Sequence, residues 1–104
     1  MSVLIIDTEI QSIVQDIAAL YAPTKIILFG SQAKGTANHK SDIDLCIIKD
    51  TNDKRSLLTD MYLNIDCNKP FDLVLYTPSE WESCISDSTS FAYLINEKGK
   101  VLYG

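Results

Sequence analysis

The chain has 104 residues, 46% of them apolar, enough for one domain (residues 1–104) with a modest core and too little for a second. A formal net charge of −5 with no Lys or Arg cluster argues against direct nucleic-acid binding, which depends on basic residues neutralising phosphates, and an acidic surface favours a basic protein partner. No run approaches the roughly 20 apolar residues of a membrane span, and Cys46, Cys67 and Cys84 have neither the number nor the spacing of a disulfide framework or a zinc site.

Residues 1–6 are too short for a signal core and lack a basic leader, so the expectation is a cytoplasmic protein with free thiols. Asp7 or Thr8 can cap a first helix in which Ile10, Ile13, Val14, Ile17 and Leu20 recur at helical spacing to make a core face. Pro23 ends it. Residues 26–29, Ile-Ile-Leu-Phe, are few, branched and aromatic, which predicts a buried strand that stops at Gly30. Gln32 to Lys34 makes a short helical piece, and a polar loop over residues 35–40 follows, with His39 and Lys40 as solvated side chains.

A second strand opens at Asp42. Alternation puts Asp42 and Asp44 on one face and Ile43, Leu45 and Ile47 on the other. Leu57, Leu58, Met61, Tyr62 and Ile65 then predict an amphipathic helix over residues 54–67, with Met61 and Tyr62 in the core, able to connect two strands of one sheet. Asn68-Lys69-Pro70 breaks it. In the next strand Phe71, Leu73 and Leu75 face one way, and Asp72, Val74 and Tyr76 the other. Pro78-Ser79-Glu80 opens a helix carrying Trp81; Ser88-Thr89-Ser90 precedes a last helix from Phe91 to Lys98-Gly99, where Gly suits a left-handed C-terminal position. Val101 to Tyr103 adds a final short strand. This order predicts an α/β or α+β domain: a mixed central sheet of three to five strands, helices mainly on one face, and the acids at one end of the other.

Paired carboxylates repel unless a cation or proton intervenes, so Asp42 and Asp44 opening an otherwise apolar strand point to a divalent ion. Magnesium prefers such oxygen ligands, supplemented by water and substrate phosphates. Gly30-Ser31 can supply the complementary half, with a sharp turn, a hydroxyl and an N–H for an anion.

The ordered set Gly30-Ser31-Gln32-Ala33-Lys34-Gly35, then Ser41-Asp42-Ile43-Asp44-Leu45, resembles the nucleotidyltransferase superfamily that includes polymerase beta, and most closely its minimal nucleotidyltransferase (MNT) domains. That resemblance implies that Gly30, Ser31 and Lys34 bind the nucleotide phosphates. It implies that Asp42 and Asp44 hold one or two Mg²⁺ ions and that Asp72 is the third acid, sharing a metal and acting as general base. Gln32 and Lys34 depart from the arginines usual in that loop; Lys34 keeps the charge without the planar fork. Minimal members typically serve as antitoxins beside a helical HEPN-class ribonuclease. The implied function is therefore transfer of AMP from ATP to a hydroxyl of a HEPN-type toxin. The alternatives are a catalytically weak module that neutralises its partner by contact, and an antibiotic nucleotidyltransferase, which normally carries an additional drug-binding domain.

Overall fold

The computed structural model describes residues 8–34 and 42–104. In chain order the elements are α1 (Thr8–Tyr21), β1 (Lys25–Phe29), α2 (Ser31–Lys34), β2 (Ile43–Ile48), α3 (Lys54–Asn64), β3 (Phe71–Tyr76), α4 (Pro78–Ile85), α5 (Phe91–Lys98) and β4 (Lys100–Tyr103). The four strands form one mixed sheet in the order β3-β2-β1-β4. β1 runs antiparallel to both β2 and β4, whereas β2 and β3 are parallel. Parallel neighbours cannot be joined by a hairpin, and α3 supplies the crossover. The domain is α+β, as the order of elements predicts.

Strand alternation divides the core in two. Ile26 and Leu28 of β1, Ile43, Leu45 and Ile47 of β2, and Leu73 and Leu75 of β3 pack with Ile10, Ile13, Val14 and Ile17 of α1 and with Met61 and Ile65. This is the larger core. The residues between them in sequence, Ile27, Cys46 and Ile48, meet Trp81 of α4 and Ala92 and Ile95 of α5 on the other face. Helices thus cover part of the second face too, leaving the end that carries the acids. Among the described residues, no helix is long and apolar enough to cross a membrane.

Local chemistry explains where the helices begin. Asp53 caps α3 by accepting from the Ser56 N–H at 3.1 Å, and Ser90 caps α5 by accepting from the Tyr93 N–H at 3.0 Å. Thr77 and Glu80 form a reciprocal capping box at α4, with Pro78 in its first turn.

Four details differ from the expectations. Leu20 is 60% exposed: Tyr21, not Leu20, closes the last turn of α1 against the core and donates its hydroxyl to Asp60 Oδ2 at 2.6 Å. The crossover helix stops at Asn64, since Ile65 already has extended backbone. Tyr62 is an edge residue and not a core one; its ring stacks on Phe71 and its hydroxyl accepts from the Leu73 N–H at 2.7 Å. That bond satisfies a donor on the outer edge of β3.

Gly99 has ordinary extended backbone, with φ −77° and ψ 170°, so it is not a left-handed cap. It is needed for closeness: a Cβ there would lie 2.5 Å from the Ile95 carbonyl oxygen and 2.6 Å from Ile27 Cγ2. The left-handed position is instead taken by Ala22, with φ 45°, between α1 and Pro23. Residues 1–7, the loop over 35–40 with His39 and Lys40, and Ser41 lie outside the described residues.

Candidate functional site

Because Ile43, Leu45 and Ile47 turn into the larger core, Asp44 projects from the opposite face of β2; Leu73 and Leu75 do the same for Asp72 on β3. The parallel register then sets Asp44 directly beside Asp72, separated by the strand spacing of about 4.8 Å. On the other flank, the antiparallel register sets Phe29 of β1 beside Asp44. One row across the sheet therefore reads Asp72, Asp44, Phe29. Asp42 immediately precedes β2 and is exposed, as is Asp72, while Asp44 is half-buried.

The carboxyl of Asp44 is held above the ordinary carboxylate range, first by burial, then by the negative charges of Asp72 and Asp42. The three predicted acids are thus brought together as one electrostatic unit. Among the described residues, no three His, Cys, Asp or Glu converge tightly enough to hold a cation without adjustment. A divalent ion such as magnesium takes one or two carboxylates with water and phosphate oxygens, so the all-oxygen donor set fits it without a closed cage.

Gly30 ends β1 with φ +76°, in the left-handed region. Its carbonyl accepts from the N–H groups of Ala33 at 3.1 Å and Lys34 at 3.2 Å, which winds the chain into α2. A methyl group on Gly30 would collide with Asp44 Oδ2 and stand 3.2 Å from its Cγ. Glycine is required twice, by the turn and by the acid lying against it. Ser31 begins α2 half-buried, and Lys34 ends it exposed.

A family model described as polymerase beta, nucleotidyltransferase matches residues 9–104. The chain belongs to the polymerase beta nucleotidyltransferase family. A solved protein from Sulfolobus solfataricus, "a putative nucleotidyltransferase", is similar with a TM-score of 0.51 and 22% identity, over 73% of this chain and 70% of that one. At that identity the likeness concerns the fold alone. No curated protein gives a match.

Nucleotidyltransferase domains generally use a nucleoside triphosphate and a divalent metal, and the oxygen-rich acids of this domain suit that chemistry. Sequence reasoning missed one part of this nucleotidyltransferase's surroundings. Phe29, Phe91, Leu94 and Lys98 line a cavity next to Gly30. The helical spacing of Phe91, Leu94 and Lys98 was the available signal, and it required knowing that α5 lies against β1.

Proposed function

We propose that this nucleotidyltransferase domain moves AMP from ATP onto a hydroxyl of a partner protein, and that the partner is a basic HEPN-type toxin that it restrains as a cytoplasmic antitoxin. The supporting observation is the row of acids, Asp72 in register with Asp44 and Asp42 two residues away, with Gly30 turning against Asp44. Asp42 and Asp44 would hold one or two Mg²⁺ ions, Asp72 sharing one of them. When bound, the metal neutralises charge on phosphate and acids alike.

The chain's own residues do the rest. Gly30 and Ser31 orient the outer phosphates, and Lys34 places a positive charge on them. Asp72 accepts the proton of the acceptor hydroxyl as its oxygen forms a bond to the α-phosphorus; the bond to pyrophosphate breaks in line. The net charge of −5 favours a basic protein as acceptor over nucleic acid. The partner class comes from the resemblance of the Gly30-Ser31 and Asp42/Asp44 motifs to minimal nucleotidyltransferase antitoxins.

A contact-only module is the second reading, favoured by Gln32 and Lys34 standing where that resemblance expects arginines. The two separate when the chain is incubated with the partner, Mg²⁺ and ATP labelled at the α-phosphate. The wild type should label the partner, while Asp72→Asn should still form the complex and label it on the order of 10²–10⁴ times more slowly. An unlabelled partner that is nevertheless fully neutralised by both proteins would replace the enzyme with the binding module.

A further inference from the structure

Beside the acids lies a cavity whose apolar wall nucleotidyl transfer, as set out above, does not use. It sits between the end of β1 and α5 and has a volume of about 270 Å³. Its walls are Phe29, Phe91, Leu94 and Ile95, and Gly30, Lys34 and Lys98 complete its lining. Phe91 meets Phe29 edge to face, with ring centroids 5.5 Å apart and planes at 85°. Phe91 is 49% and Leu94 52% exposed, so the apolar wall is open to solvent rather than consumed by the core. Lys34 and Lys98 are exposed and have no hydrogen bond or ion pair among the described residues. In a chain of net charge −5, these two ammonium groups set positive charge at the rim of an apolar cavity.

We infer that this cavity binds the base of the nucleoside triphosphate, with Lys34 and Lys98 directed to its phosphates; the inference rests on the nucleotidyl-transfer reading. Continuity supports it first. Gly30 and Lys34 belong both to the cavity and to the candidate phosphate loop, so a molecule whose phosphates occupy that loop has its nucleoside beside Phe29 and Phe91. The chemistry agrees: two aromatic rings and two aliphatic side chains suit a flat, weakly polar ring, and the lysines suit the anion attached to it. Size agrees as well, because the volume falls just below the roughly 300–1,000 Å³ of pockets for drug-sized ligands, which leaves room for a base and part of its sugar.

Placement across the sheet also separates donor from acceptor. Phe29 and Asp72 lie on opposite flanks of Asp44, so an acceptor hydroxyl approaching Asp72 does not compete for the cavity. The arrangement holds the base on the β1 side and leaves the β3 side open to the partner.

The test compares MgATP with magnesium tripolyphosphate, which has the phosphates and no base, by titration calorimetry on the full chain. Phe91→Ala should weaken MgATP roughly 5- to 150-fold, the range for loss of one base-stacking ring, and leave tripolyphosphate unchanged. Leu94→Asn, at a half-exposed position, should do the same by setting an uncharged polar amide in the wall, and serves if Phe91→Ala melts too low to assay. Photolabelling of the wild type with 8-azido-ATP should mark residues 91–98.

ATP affinity unchanged in the variants, equal losses for ATP and tripolyphosphate, or photolabel elsewhere would overturn the cavity while leaving nucleotidyl transfer standing. A wild-type chain that binds neither compound would overturn both.

Discussion

Replacing Gly30 with Ala separates what holds the fold from what holds the site. A left-handed backbone costs an L-residue about 1–2 kcal/mol, and φ +76° leaves no ordinary alternative without unwinding the entry to α2. The added methyl also collides with Asp44 Oδ2, but that atom ends a rotatable side chain, so swinging it aside costs only about 0.5–1.5 kcal/mol. The lower unfolded-state entropy of Ala returns about 0.4–1 kcal/mol. The net loss is about 0.5–3 kcal/mol, or roughly 2–24 °C in melting temperature for a domain of this size.

Stability therefore falls modestly, mainly through the backbone, while the Asp44 carboxylate is pushed away from Gly30. Thermal melts with and without Mg²⁺ and ATP read both effects, because a ligand bound to the folded state raises the melting temperature. Gly30→Ala should melt lower than wild type and lose the ligand-induced rise. A variant that melts lower yet keeps the full rise would refute the link between the turn and the carboxylate; one that melts with wild type would refute the enforced dihedral.

Two further outcomes follow from the same geometry. The raised carboxyl of Asp44 means that the folded, metal-free chain binds that proton more tightly than the unfolded one, so the site's contribution to stability falls as pH rises through the shifted value. Melting temperature in chelator should increase as pH drops from 7 toward the ordinary glutamate value of 4.5, and Asp44→Asn should flatten that slope; an identical slope in the variant would remove Asp44 as its source. At lower pH the trend should reverse, since Glu80 and Asp87 are held low, chiefly by the Thr77 N–H and the Thr89 hydroxyl respectively, and lose those stabilised charges on protonation. Gly99→Ala should cost about 1–3 kcal/mol by overpacking, because two of the three nearest atoms to the new Cβ are backbone carbonyl oxygens, of Ile95 and Leu28, that cannot rotate away. An unchanged denaturation midpoint would show that α5 does not dock so closely on β1.

The period-two pattern made the strands and the face of each acid readable before any coordinates. Asp44 and Asp72 had to oppose Leu45 and Leu73, because a strand with one apolar face allows nothing else. Their adjacency was legible only through the resemblance, since the register of β2 on β3 depends on how α3 packs. Tyr62 and Leu20 were misplaced for a related reason: helical spacing says which side chains share a face, not where the neighbouring strand ends. At Gly99 and Ala22 residue preference pointed the wrong way. Close packing on Ile27 demanded the glycine, while the turn into Pro23 imposed the left-handed backbone on an alanine.

β1 is an interior strand whose two neighbours come from very different parts of the chain: β2 lies shortly after it, whereas β4 is formed by residues 100–103. During synthesis one edge of Lys25–Phe29 therefore stays unpaired until residues 100–103 have left the ribosome, and that edge carries Ile26, Ile27 and Leu28, all buried in the finished fold. An apolar, branched segment with open backbone donors is a template for pairing with other nascent chains. The late strand thus acts as a closure on an association-prone segment of the sheet, and chains stalled or cleaved before Lys100 should expose it to aggregation and proteolytic clearance.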